Sequence, residues 1–228
     1  MLHGYGPSLA AGALTTLAVA LASLAIAAVL GLLGALAKLS SSRVLRAAAL
    51  AYTTLIRGVP DLVLMFLVYF GGQMALNALA ERFGWQDATI DPFVAGTLTI
   101  GFVFGAYMTE ILRGAFLAVP AGQREAALAY GMTRGQALRR IVGPQMLRHL
   151  LAPLSNTWLV LLKSTSIVSL IGLTDLMQRA KDAGGSTQLP FLFIAAAGAI
   201  YLAFSSASEL VFAWLRRRYA AGVRQVRP

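Results

Sequence analysis

An all-α integral membrane protein with five transmembrane helices is the fold class this sequence predicts, on three observations. Of 228 residues, 58% are hydrophobic and 12% charged, with a mean hydropathy of +0.71, a composition no ordinary soluble domain of this length shows. Five separate apolar stretches match the roughly 20 residues that a helix needs to cross hydrocarbon. The basic residues flank those stretches and form no continuous face, so the net charge of +10 fits a membrane surface and not nucleic acid. Cysteine is absent, which excludes a disulfide framework, a thiolate nucleophile and a Cys-based metal site.

The first stretch, Leu9 to Ala37, carries no charge. It differs from a secretory signal because no Lys or Arg precedes it and its apolar run is about twice a signal's apolar core. The second runs from Leu62 to Ala80, with Asp61 after Pro60 placed to cap it. The third, Phe93 to Leu112, has Glu110 near its end, and Gly101 and Gly105, four apart, predict close helix packing. The fourth, Leu151 to Leu173, has Lys163 in its middle followed by Ser164-Thr165-Ser166, so it should be enclosed by protein or face a wet cavity. The fifth, Pro190 to Trp214, has Glu209 near its end.

Orientation follows from the positive charges. Lys38, Arg43, Arg46 and Arg57 fall between the first two spans, and Arg113, Arg124, Arg134, Arg139, Arg140 and Arg148 between the third and fourth. Arg216, Arg217, Arg218, Arg224 and Arg227 follow the fifth, which makes fifteen of nineteen Lys and Arg on one side. Arg82, Arg179 and Lys181 mark the other. By the positive-inside rule the N-terminus is outside and the C-terminus cytoplasmic. No repeat, linker or composition shift divides the chain, so residues 1–228 read as one transmembrane domain.

The connection from about 113 to 150 is a long polar segment where a membrane protein should have a minimal loop, and it reads as a docking element. Pro120 and Gly122 break the preceding helix, and Gln123 to Tyr130 then forms one or two turns on which Ala126 and Ala127 offer almost no side chain, so a partner can approach closely. Gly131 stops that helix by tolerating left-handed dihedrals. Thr133 and Gln136 have the spacing of a capping box that starts a second helix through Ile141. A plain surface hairpin is the alternative.

Glu125-Ala126-Ala127, Gly131, Ile141 and Pro144 resemble the E-A-A…G…I-x-L-P loop of ABC importer membrane subunits, with Gly143 in place of the Leu. The run Tyr52-Thr53-Thr54-Leu55-Ile56-Arg57-Gly58-Val59-Pro60-Asp61 resembles the R-G-[VT]-P element of polar amino-acid permeases. Gly105-Ala106-Tyr107, Glu110 and Arg113-Gly114-Ala115 resemble their G-A-Y-x-x-E-x-x-R-G-A stretch, and Val119-Pro120-Ala121-Gly122-Gln123 follows at the family's spacing. The resemblance extends from about Leu9 to Tyr219. Within the family, Lys163-Ser164-Thr165-Ser166-Ile167 and Asp91-Pro92 look most like the Q-type subunits of histidine/lysine/arginine/ornithine importers, with opine importers close by.

That resemblance implies a type I ABC importer permease fold in a bacterial inner membrane, with the N-terminus periplasmic. It implies a transport subunit working by alternating access, alongside two ATPase subunits, a second and homologous permease, and a periplasmic amino-acid-binding protein. It places ATPase docking on Gln123, Glu125, Ala126, Ala127, Gly131 and Thr133. No G-x-x-x-x-G-K-[ST] is present, so the chain has no cofactor of its own, and ATP and Mg belong to the partner ATPases.

Other residues keep two readings. Arg57, Glu110 and Arg113 form either an internal charge network or part of the solute path. Lys163, with Ser164, Thr165 and Ser166, lines that path or serves as a structural counter-ion. Glu125 anchors the docking helix or merely complements a helix N-terminus. His3 and His149 are isolated and suggest no metal site. An intramembrane enzyme would need Ser164 or Ser166 with Lys163, and adjacent helix positions face different ways. A carrier working alone would show an inverted repeat, and a scaffold would not need the docking element.

Overall fold

The computed structural model describes residues 4–84 and 89–219, so His3, Arg224 and Arg227 lie outside the described residues. In chain order the helices are α1 (Gly6–Leu39), α2 (Arg43–Gly58), α3 (Asp61–Phe83), α4 (Pro92–Leu117), α5 (Ala121–Ala129), α6 (Arg134–Ile171), α7 (Leu176–Thr187) and α8 (Pro190–Tyr219). Five of these, α1, α3, α4, α6 and α8, are long and apolar enough to cross a membrane. They contain the expected stretches, except that the fourth ends at Ile171, two residues short of Leu173, where Gly172 takes a left-handed conformation. Helices α2 and α7 fall where the sequence reading has only connections.

Both unexpected helices have local causes. Ser42 caps α2 by accepting from the Leu45 N–H at 3.4 Å, and its buried Ala49 and Thr53, four apart, put one face on α1 and α4. Asp175 caps α7 by accepting from the Gln178 N–H at 2.9 Å. By contrast Asp61 does not cap α3. Pro60 occupies the cap position and Asp61 is the first helical residue, half-buried, with its carboxylate in the first turn.

The centre of the molecule is the α1–α4 pair, the most extensive helix contact among the described residues. Small residues let these backbones approach: a Cβ on Gly101 would stand 2.7 Å from Ile26 Cβ, and one on Gly105 2.8 Å from Leu30 Cβ. The four-residue glycine spacing therefore does serve packing. Val19, Ala20 and Ala27 of α1, Ile100, Val103 and Phe104 of α4, and Leu161 and Leu162 of α6 fill the core. A second cluster, around Leu9, Leu176 and Phe193, ties α1, α7 and α8 together. Helices α3 and α8 bury few residues and present Leu67, Phe70, Met74, Leu202 and Leu210 outward, faces left for lipid or another subunit.

Two helices depart from α geometry. A π-helical turn occupies Leu67–Gly71 of α3, and another occupies Leu138–Val142 of α6. The second explains Gly143, because a Cβ there would lie 2.9 Å from the Leu138 carbonyl oxygen. The end of α6, Thr165–Ile171, tightens into a 3-10 helix.

Candidate coupling hairpin and membrane path

The segment after α4 folds as a hairpin. Pro120 opens α5, which ends in a two-bond Schellman turn: the Gly131 N–H donates to Leu128 O at 2.9 Å and the Met132 N–H to Ala127 O at 3.1 Å. Gly131 has φ of +80°, the left-handed region that a Cβ disfavours. The capping box forms: Thr133 Oγ1 accepts from the Gln136 N–H at 3.3 Å, and Gln136 Oε1 accepts from the Thr133 N–H at 2.9 Å. Gln145 of α6 donates to Gln123 of α5 at 3.4 Å, joining the limbs.

Three details differ from the sequence reading. The second limb is not a separate helix ending near Ile141 but runs without interruption through the π turn into α6. Ala126 is exposed, whereas Ala127 is buried within the chain's own fold, so only the first alanine faces outward. Glu125 lies in the second turn of α5, too far in for a helix-end role, and is exposed with no ion pair among the described residues.

The charge network contains a member the sequence reading left out. Lys38, in the last turn of α1, pairs with Glu110 of α4 and donates to Thr53 Oγ1 of α2 at 2.6 Å. Arg113 completes the cluster, its Nε 3.2 Å from the other Glu110 oxygen. Arg57 is not part of it. Its guanidinium instead lies 5.2 Å from the centre of the Tyr107 ring, a cation–π contact.

Lys163, central in the apolar stretch, stands two residues before α6 gives way to the 3-10 turn at Thr165, and it is exposed. The three hydroxyls after it separate. Thr165 is buried and donates to Leu162 O at 2.7 Å, and Ser166 donates to the Lys163 backbone oxygen at 2.8 Å. Ser164 and Asp61 line one cavity of about 10 Å³ between α3, α4 and α6, at the limit for a single water. No serine hydroxyl is bonded to the Lys163 amine among the described residues, so no nucleophile–base pair forms there.

Residues 27–221 match the family described as binding-protein-dependent transport system inner membrane component. The chain belongs to this family of transport permeases. The permease is 50% identical to the histidine/lysine/arginine/ornithine transport system permease protein HisQ of Escherichia coli (strain K12), over 99% of both chains. It is 42% identical to the octopine transport system permease protein OccQ of Rhizobium radiobacter, over 97% of this chain and 94% of that one. Among solved structures it resembles an amino acid ABC transporter crystallised with histidines, with a TM-score of 0.80 and 33% identity, over 94% of this chain and 95% of that one. The methionine ABC transporter MetNI shares the fold alone, at 18% identity and a TM-score of 0.78, covering 96% and 99%. The type I importer permease fold and the multi-pass membrane character follow, and so does its role as a transport subunit and not an enzyme.

Sequence reasoning missed three further polar groups of the permease. Tyr52 of α2 donates to the Phe102 backbone oxygen of α4 at 2.5 Å, and burial pushes its phenol up to about 12. Asp175, 1% exposed, sits where α1, α7 and α8 meet, and the Leu176 N–H beside it donates to Thr16 Oγ1 of α1 at 3.2 Å. Tyr201 of α8 places its hydroxyl beside Thr165, Thr16 and Asp175. Lys38 carried a signal that could have been read: a cation at the end of an apolar span seeks a carboxylate, and Glu110 ends another.

Proposed function

We propose that this permease is one of two membrane subunits through which a basic amino acid enters the cytoplasm across a bacterial inner membrane. Residues 1–228 act as one permease domain, with the N-terminus periplasmic and the C-terminus and the 113–150 segment cytoplasmic. The observation that carries the reading is the exposed α5–α6 hairpin, rooted directly in two spans on the side richest in Lys and Arg. A rigid knob continuous with α6 transmits a partner's movement into the membrane. Gln123, Glu125, Ala126, Gly131 and Thr133 form or shape the docking surface, with Ala127 as its internal support.

Two partner ATPases bind ATP and Mg and move the hairpins, and the spans reorient a path lying between this chain and a homologous second permease. A periplasmic binding protein delivers the solute. Full-length similarity to a histidine/lysine/arginine/ornithine permease supports a basic amino acid, and the octopine permease relative supports an opine as the second reading. Co-expression with the ATPase, second permease and binding protein, followed by reconstitution and ATP-driven uptake of lysine, arginine, ornithine and histidine, tests this. Uptake of octopine in place of all four would transfer the assignment to the opine class, and absence of any ATPase in the purified complex would remove it.

A further inference from the structure

Helix α3 is built from two unlike halves. The first, Asp61–Phe66, is anchored: Met65 is buried, and Leu64 beside it packs on the central core, against α4 and the 3-10 end of α6. The second, Gly72–Phe83, buries Ala80 alone and makes no comparable packing with another helix among the described residues. A tether lies at its start, where Gln73 Oε1 accepts from the Ile90 N–H at 2.7 Å. Helix α8, the other lightly buried span, is α-helical throughout.

Between the halves of α3 stands the π turn Leu67–Gly71, in which no residue is buried. Such turns interrupt the regular hydrogen-bond ladder and frequently mark functional sites. Two adjacent glycines close it, and neither packing nor backbone explains them. A Cβ on Gly71 would meet nothing within 4 Å, and one on Gly72 only the end of the Ile90 side chain at 3.2 Å. Both residues have ordinary helical dihedrals. By contrast Gly101 and Gly105 serve the α1–α4 approach, Gly131 has a positive φ, and at Gly143, after the other π turn, a Cβ would meet the Leu138 carbonyl oxygen. Glycine weakens a helix interior relative to alanine because it keeps more backbone freedom. At Gly71 and Gly72 that freedom is what the residue type supplies.

We propose that residues 67–72 are a hinge about which Gly72–Phe83 swings while Asp61–Phe66 stays fixed to α4 and α6, and that this swing opens and closes the outer end of the solute path. The inference rests on the alternating-access reading and on the periplasmic N-terminus, which puts Gly72–Phe83 in the outer half of the span. The Gln73–Ile90 hydrogen bond sits one residue beyond the hinge, so a swing barely stretches it. Phe83 lies about 16 Å further along the axis, and a rotation of about 15° moves it by about 4 Å.

The test uses the full importer complex with cysteine-free partner subunits, and because this chain has no cysteine, spin labels can be placed in pairs. Leu79→Cys with Leu14→Cys reports the outer half of α3 against α1, and Val63→Cys with Leu36→Cys the inner half; all four positions are exposed. Trapping ATP should shift the first distance by about 4 Å and leave the second unchanged. Gly71→Ala should abolish the shift, raise the melting temperature and slow ATP-driven uptake about fivefold, with the ATPase still recovered. Gly198→Ala in α8, where a Cβ also meets nothing within 4 Å, should raise the melting temperature and leave uptake at the wild-type rate. Wild-type uptake by Gly71→Ala overturns the hinge, and so does equal slowing by Gly198→Ala, since stiffening any helix would then suffice. A transporting complex in which both distances shift together, or neither does, removes the hinge and keeps the transport reading. An α3 that bends on ATP binding in a complex that takes up no solute removes that reading and keeps the hinge.

Discussion

Lys38 and Glu110, seventy-two residues apart, form an ion pair that joins the end of α1 to α4, and the same ammonium reaches Thr53 of α2. Lys38 is nearly buried, with 9% of its side chain exposed. Three helices thus converge on one cation. Removing one partner of such a pair leaves an uncompensated charge, a far larger penalty than losing a surface bridge.

Lys38→Met should therefore destabilise the permease by about 3 kcal/mol, the low end for a broken buried pair because Arg113 still faces Glu110. Thermal unfolding in detergent measures it. Adding Glu110→Gln to that variant should recover part of the loss, and a double variant no better than the single one would show that the charge pairing is not what matters there.

Gly131→Val should cost about 1–2 kcal/mol at the left-handed turn and misplace the hairpin, lowering transport-coupled ATP hydrolysis while membrane insertion continues. No atom lies within 4 Å of a Cβ added there, so the backbone conformation alone is at stake. Gly131→Asn should retain more coupling than Val, because Asn tolerates this region. Equal coupling in all three proteins would mean that the turn geometry does not position the knob.

Glu125→Lys should reduce recovery of the ATPase subunit in a detergent pull-down. The glutamate is exposed in the second turn of α5, beyond the reach of the helix dipole, so charge reversal acts through the partner. Wild-type recovery would relegate it to a solvated surface residue.

Lys163→Met separates two roles. The exposed ammonium at the end of the α-helical part of α6 is free of internal ion pairs among the described residues, which favours the solute path over a counter-ion role. Complex yield should hold and the uptake ratio of lysine or arginine to histidine should shift. A drop in yield at constant ratio would restore the structural role.

Asp175→Asn should raise stability more at pH 7 than at pH 4. Burial pushes this carboxyl above the usual carboxylate range, against the opposing backbone hydrogen bonds and the Lys181 charge. The native state then holds the proton more tightly than the unfolded chain. Stability contributed by that proton is full below the unfolded value near 3.8 and is lost as pH rises through the raised native value. Asn keeps an acceptor for the Gln178 N–H and has no charge to lose. Melting temperatures at the two pH values check it, and an equal shift at both would exclude ionisation as the cause.

Short-range signals in the chain make much of this protein legible. Apolar length defines five spans, and Gly131 and Thr133-x-x-Gln136 define a helix stop and a restart. Each is a property of residues within one or two turns of each other, where propensity and hydrogen bonding act directly. The same locality explains the errors. The start of α6 reads as a separate short helix because a π turn interrupts its periodicity at Leu138–Val142. The 3-10 turn two residues after Lys163 goes unread because nothing in the apolar count signals it.

Charge partners are the part no spacing rule could supply. Arg57 and Glu110 both carry the expected residue types, yet Arg57 stacks on Tyr107 and Lys38 takes Glu110. The burial of Asp175 likewise depends on α1, α7 and α8 meeting around it. Composition and short-range pattern determine which segments become helices and which of them enter a bilayer, because those choices balance a segment against its solvent. Which side chains then meet depends on how the helices pack: small residues at Gly31, Gly34, Gly101 and Gly105 allow α1 and α4 to close, and that approach brings Lys38 to Glu110.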